Sequence, residues 1–169
     1  HAWSVDTSGA ERYTIRVRRI ATGEVLDDVV EETVGAIVWD TGSAGFFFSR
    51  VNKEWRPFQV WYHALGADEH LVYEESDPAF FVRAYATRSR EFLILSAGDH
   101  VTSEVRFLPL AKPTETPRLI RARETGVEYH VDHNAGRFVI RTNDTHRNFR
   151  LATADPENPD DWTELLPAG

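Results

Sequence analysis

The sequence predicts an all-β fold, a partial β-propeller of about three and a half four-stranded antiparallel blades. Two recurring patterns and one absence predict it. Phe46-Phe47-Phe48, Phe92-Leu93-Ile94 and Phe138-Val139-Ile140 fall about 46 residues apart, each after a turn-like stretch: Asp40-Thr41-Gly42, Arg88-Ser89-Arg90 and His133-Asn134-Ala135-Gly136. Runs at Tyr13 to Ile20, Phe58 to Leu65, Glu104 to Leu110 and Asn148 to Thr153 begin at roughly the same interval, a period that belongs to propeller blades. No segment carries the apolar period of a helix. Without the period, a sandwich of two sheets would be the competing all-β reading. A closed ring takes about four to eight blades, and at about 45 residues per blade the 169 residues supply fewer than four. The chain is therefore expected to be a piece of a larger propeller, with blades at about 2–34, 35–78, 79–125 and 126–167.

Taken in order, the first blade is expected to have three strands. Ala2 to Val5 is short, Asp6-Thr7-Ser8-Gly9 turns the chain, and Tyr13, Ile15 and Val17 alternate with Thr14, Arg16 and Arg18 as a half-buried strand should. Thr22-Gly23 then turns towards a third strand at Val29 and Val30. The second blade takes Ala36 to Trp39, Gly45 to Arg50, Phe58 to Leu65 and His70 to Glu74; the third takes Phe80 to Tyr85, Phe92 to Ser96, Glu104 to Leu110 and Arg118 to Arg121. The fourth takes Val127 to Val131, Phe138 to Arg141, Phe149 to Ala154 and a weak last strand at Trp162 to Leu166. Pro109, Pro113 and Pro117 bracket one loop, and Pro156 and Pro159 lie in an acidic one, Asp155 to Asp161. Composition does not shift along the chain, so no internal domain boundary is expected.

A hydrophobic fraction of 41% with 12% aromatic residues suffices for a packed β core. The formal charge of −8 disfavours nucleic acid, because phosphate binding needs clustered Lys and Arg. An acidic field attracts cationic ligands instead, basic peptides among them. With no cysteine there is no disulfide framework, no Cys-based zinc site and no thiol nucleophile, which points to a reducing compartment. No apolar run reaches the length of a membrane span, so no membrane partner is expected. The chain lacks methionine and opens His1-Ala2-Trp3, so residue 1 is not read as a natural start, and nothing near it reads as a signal peptide.

Several short motifs fail as chemical sites. Thr41-Gly42-Ser43-Ala44-Gly45 lacks the first glycine of G-x-S-x-G and no helix follows it, so a tight turn is expected. In His130-Val131-Asp132-His133 a strand would point His130 and Asp132 to one face and His133 to the other, which does not gather metal ligands. The acidic loop lacks the spacing and glycine of a calcium loop. Asn143-Asp144-Thr145 fits the glycosylation pattern, which needs a secreted protein, and the dipeptide Trp39-Asp40 occurs once only. No catalytic residue, metal or cofactor is expected in this chain.

From Tyr13 through Pro167 the sequence resembles the propeller of prolyl oligopeptidase-type serine peptidases, most closely the oligopeptidase B (protease II) branch. The matching stretches are Tyr13-Thr14-Ile15-Arg16 with Thr22-Gly23-Glu24, Val38-Trp39, Trp55-Arg56-Pro57, Val60-Trp61-Tyr62-His63 and Leu65-Gly66. They continue through Val72-Tyr73-Glu74-Glu75-Ser76-Asp77, Thr102-Ser103-Glu104-Val105, Val127 to His133 and Asn148-Phe149-Arg150-Leu151. Their order and spacing together are specific where each alone is weak. The resemblance implies a seven-bladed parent propeller joined to an α/β-hydrolase domain with a Ser, Asp and His triad, cleaving short peptides after Arg or Lys in the cytoplasm. It implies that the propeller covers the active site and admits only small, unstructured peptides. This chain carries none of the hydrolase half, so no catalytic residue transfers to it.

The function expected of the chain is therefore substrate gating. First strands of blades line the channel, and Arg83, Glu128 and His130 are the polar members that could face it or the hydrolase domain. Together with Arg56 in the Arg56-Pro57 turn they are the candidates for positioning or repelling peptide ends; blade-to-blade hydrogen bonding is the structural alternative. Phe46, Phe48, Phe92, Ile94, Phe138 and Ile140 are expected to pack between blades. The end blades are then left with uncovered faces that favour self-association. The alternative functions are a propeller piece of a non-enzymatic binding scaffold, or a free-standing small β domain that binds sugar or peptide.

Overall fold

The computed structural model describes residues 1–169 and contains fifteen β-strands and no helix. They are β1 (Ala2–Val5), β2 (Tyr13–Arg18), β3 (Val25–Thr33), β4 (Val38–Trp39), β5 (Gly45–Val51), β6 (Pro57–Ala64), β7 (Glu69–Glu74) and β8 (Phe81–Ala86), followed by β9 (Phe92–Gly98), β10 (Ser103–Pro109), β11 (Arg118–Arg121), β12 (Tyr129–Asn134), β13 (Arg137–Thr142), β14 (Arg150–Asp155) and β15 (Asn158–Leu166). All neighbours pair antiparallel. Strands β8 to β11 form one four-stranded meander and β12 to β15 another. A third set, β4 to β7, is joined to β1, β2 and β3 through a single pairing of Thr33 with Arg50. These are the three four-stranded blades and the three-stranded one, called here sheets 1 to 4 in chain order.

Two details differ from expectation. The stretch expected as an acidic loop, Asp155 to Asp161, is mostly strand: only Pro156 and Glu157 turn, Asp155 pairs with Asn158, and β15 continues to Leu166. Pro156 lies in the turn, and Pro159 is tolerated because β15 is an edge strand, where a missing N–H costs nothing in the ladder. The third strand of sheet 1 is also longer than Val29 and Val30 suggest, running from Val25 to Thr33 with two register shifts against β2. Asp27, Glu31 and Glu32 are exposed while Asp28 turns in to His63 Nε2 at 2.8 Å and the Gly66 N–H at 2.7 Å, so four carboxylates hide the strand in the sequence.

The period of two along each strand divides the core into three layers. In β5, Phe46 and Phe48 face Ile15, Val17 and Val30 of sheet 1, while Phe47 between them faces Val82, Leu93 and Leu95 of sheet 3. In β9, Leu93 and Leu95 point back to sheet 2 while Ile94 joins Phe107, Tyr129, Val131, Phe138 and Ile140 between sheets 3 and 4. Each central sheet is apolar on both faces, and burial at about 25 cal/mol per Å² of apolar surface is the main stabilising term. Phe92 lies at the rim of the last layer, its ring edge-on to Phe107 at 5.5 Å.

The turn after β4 shows how a short polar motif is fixed. Asp40 accepts the Ala44 N–H at 3.0 Å and the Tyr62 hydroxyl at 2.6 Å. Burial, then the hydrogen bond and charge of Asp40, drive the Tyr62 hydroxyl well above its ordinary pKa. Gly45 sits beneath this pair, and a Cβ there would overlap the His63 carbonyl oxygen and the Tyr62 ring and hydroxyl. The Thr41–Gly45 motif is thus a packed turn.

Two substitutions test this layering by urea unfolding. Phe47→Ala is expected to cost about 3–5 kcal/mol, against less than about 0.5 kcal/mol for a change at Ile20, which is 80% exposed. Gly45→Ala is expected to destabilise strongly and to stay so in combination with Tyr62→Phe, because the His63 carbonyl still occupies the space; full rescue by Tyr62→Phe would refute that cause.

Candidate functional site

Three of the four candidate residues lie on or beside first strands. Arg83 is exposed on β8, between Val82 and Ala84, which pack towards sheet 2. His130 is exposed on β12, flanked by the buried Tyr129 and Val131 that face sheet 3, and its cross-strand partner is Arg141 on β13. Partial burial first, then the positive charge of Arg141, lower the His130 pKa; Glu128 opposes the shift and Arg83 adds to it. His130 shares its surroundings with two arginines and one carboxylate. Arg141, whose guanidinium lies over the Phe149 ring at 4.5 Å, is the member missed in the sequence; only the β12–β13 register places it there.

Arg56 is placed differently. Its Nη1 donates to the carbonyls of Glu75, Asp77 and Phe80 at 3.3, 3.0 and 2.8 Å, its Nη2 donates to Glu75 again, and its backbone N–H donates to Asn52 Oδ1. The neighbouring Trp55 adopts a left-handed backbone, φ 65°, which turns the chain tightly enough to aim Arg56 inward. The residue holds the connection from sheet 2 to sheet 3.

That connection and the next are pinned by charges the sequence did not flag. Glu75 is 4% exposed and its carboxylate accepts the Asp77 N–H at 2.9 Å, the Tyr73 hydroxyl at 2.9 Å and Arg123 Nη2 at 2.5 Å. Arg123 also reaches Glu104, which Arg106 pairs from the other side. Burial opposes the charge on both glutamates, yet Arg123, Asp77 and Tyr73 at Glu75, and Arg106 and Arg123 at Glu104, hold both below the usual range. Burial and the Glu75 carboxylate push Tyr73 up to about 12.

The path into β12 is equally constrained. Asn143 Oδ1 accepts the Glu128 N–H at 2.7 Å and its Nδ2 donates to the Gly126 carbonyl at 3.1 Å, so the amide of the glycosylation-like motif is committed to the backbone. The adjacent Asp144 is held below its usual range by a two-point contact from Arg150, both distances 2.8 Å. Ser103 Oγ accepts the Tyr129 N–H at 2.7 Å, and the Tyr129 hydroxyl accepts the Val105 N–H at 2.8 Å. Glu128 and His130 thus follow a rigid lead-in.

The buried histidine of β12 does not form a triad. His133 is buried, and both Ser89 Oγ, at 2.9 Å, and Glu91, at 3.5 Å, approach its Nδ1, whereas a triad needs nucleophile and acid on opposite ring nitrogens. No three His, Cys, Asp or Glu side chains are gathered as metal ligands. No helix is long and apolar enough to cross a membrane.

Arg123→Ala leaves the buried Glu75 without an ion-pair partner and Glu104 with Arg106 alone, and is expected to cost on the order of 3 kcal/mol at neutral pH. Both folded-state carboxyl pKa values are depressed in the wild type, so their contribution is complete above the ordinary glutamate range and is lost as pH falls through the folded value. The difference between wild type and variant in urea midpoint is therefore expected to be steady above about pH 5 and to shrink as pH is taken below the ordinary glutamate range, towards about pH 3; a constant difference down to that pH would show that the ion pairs are not its origin.

The fold has clear counterparts. The family model described as the prolyl oligopeptidase N-terminal β-propeller domain matches residues 1–169. Among curated relatives, dipeptidyl aminopeptidase BI of Pseudoxanthomonas mexicana is 36% identical over 98% of this chain, and protease 2 of Moraxella lacunata is 30% identical over 89%. The structure of oligopeptidase B from Leishmania major superposes with a TM-score of 0.94 at 33% identity over 99% of this chain. The chain spans about a quarter of the length of these proteins: 24% and 22% of the two relatives and 24% of the structure. A three-layered β core without helix, matched along its whole length by that family model, establishes that this chain belongs to the prolyl oligopeptidase family as N-terminal β-propeller sequence.

Proposed function

We propose that this chain is the gating propeller portion of a cytoplasmic serine oligopeptidase that hydrolyses short peptides after Arg or Lys. In this reading the α/β-hydrolase domain of the same parent chain holds the triad, the chain described above is inactive alone, and the parent propeller has seven blades. What supports it is that Arg83 and His130 are exposed and Glu128 half-buried on or beside β8 and β12, the first strands of sheets 3 and 4, in a chain 33% identical to an oligopeptidase B. The preference for basic residues rests on that likeness and agrees with the net charge of −8, which draws cations. The absence of cysteine suits a reducing compartment.

The test is hydrolysis of a fluorogenic arginine substrate by this chain and by the longer protein encoded at its locus. Activity in the longer protein alone is expected; activity in neither would favour the binding-scaffold reading.

The isolated chain is also proposed to self-associate through its end sheets, where Val25, Val29, Leu165 and Leu166 are 40 to 56% exposed. Sedimentation is expected to show mass rising with concentration. A monomer at all concentrations would dismiss the idea.

A further inference from the structure

The lead-ins to the two inner strands are fastened to one residue. Glu75 gives its carbonyl oxygen to Arg56 and its carboxylate to Arg123. Arg123 belongs to the connection that enters β12, while Glu75 opens the connection that enters β8. Phe80, immediately before β8, is gripped twice: its carbonyl accepts Arg56 Nη1 at 2.8 Å and its ring lies 4.1 Å from the Arg123 guanidinium.

We propose that Arg56 and Arg123, joined through Glu75, are positioning residues that set β8 against β12 and with them the width of the peptide route between Arg83 and His130. The proposal rests on the gating reading above and replaces substrate contact by Arg56 with a different role. Three carbonyls occupy Arg56 Nη1, Nη2 is taken by Glu75, and Nε is buried without a partner, so a peptide could reach this guanidinium only by dismantling the connection. Burying so many charges is a poor way to gain stability, because desolvation offsets the Coulomb attraction. It is a good way to fix alignment, since the planar arginine fork donates to its partners in set directions. Glu104 braces Arg123 from the middle of sheet 3, so the two lead-ins cannot slide independently.

The test uses the full-length protein carrying Arg123→Lys, which keeps the charge and loses the fork, Glu75→Gln, and both together. The ratio of kcat/KM for a peptide of about 20 residues to that for a single-arginine reporter is expected to rise about tenfold in each single variant. The double variant should go no further, since the residues act as one unit. Hydrogen exchange is expected to quicken in both 75–80 and 122–128 whichever residue is changed. An unchanged ratio beside a lowered Tm would reduce the cluster to a structural role and overturn the proposal, as would faster exchange confined to the altered segment. If the wild type cleaves no arginine peptide, the gating reading falls, while the exchange measurement still decides whether the lead-ins are coupled. Glu104→Gln serves where Arg123→Lys does not fold.

Discussion

Every structural feature of this chain depends on sheets that are apolar on both faces. A sheet with one buried face can end a domain; a sheet with two must be sandwiched, and β5 and β9 show the consequence within a few residues. Phe46 and Phe48 commit one face of sheet 2 to sheet 1, and Phe47 commits the other to sheet 3. Slipping either strand by one residue would exchange the two sets. The apolar triplets therefore specify the stacking as well as the strands.

Stacking alone leaves the azimuth of each sheet loose, because apolar burial has no direction. The connections between sheets carry the directional contacts. Arg56 on three carbonyls, Arg123 between Glu75 and Glu104, Asn143 on Gly126 and Glu128, and Ser103 on Tyr129 all act where one sheet passes to the next. These groups lie at the approach to β8 and β12, so the places where alignment is tightest are also where the first strands of sheets 3 and 4, with the exposed Arg83 and His130, begin. The exposed Arg83 and His130 follow from that arrangement: the backbone beneath them is held, and their side chains are free to meet something else.

Much of the fold was legible in the sequence because strand periodicity and turn residues are local signals. The apolar triplets, the Asp40 turn and the alternation of Tyr129, Val131 and His133 against His130 and Asp132 could be read from single windows. The first half of strand β15 was hidden because two prolines and four acidic residues from Asp155 to Asp161 read as a loop, while its second half, Trp162 to Leu166, was expected. The charged cluster was illegible for another reason. Arg123 meets partners 19 and 48 residues away, and a glutamate at a strand end looks the same whether solvated or buried. Arg56 was noticed through a family-like stretch, but only its carbonyl partners disclose what it holds.

The central claim is that the inner strands border the route a peptide takes. This chain lacks cysteine, so in a full-length protein whose cysteines elsewhere are replaced a single thiol can be placed by Arg83→Cys on β8, or by Glu115→Cys in the exposed loop before β11. The account predicts that a bulky maleimide at position 83 of the full-length protein suppresses cleavage of longer peptides more than that of a small reporter, while the same label at 115 changes neither. Equal cleavage of all peptides with position 83 fully labelled would contradict it.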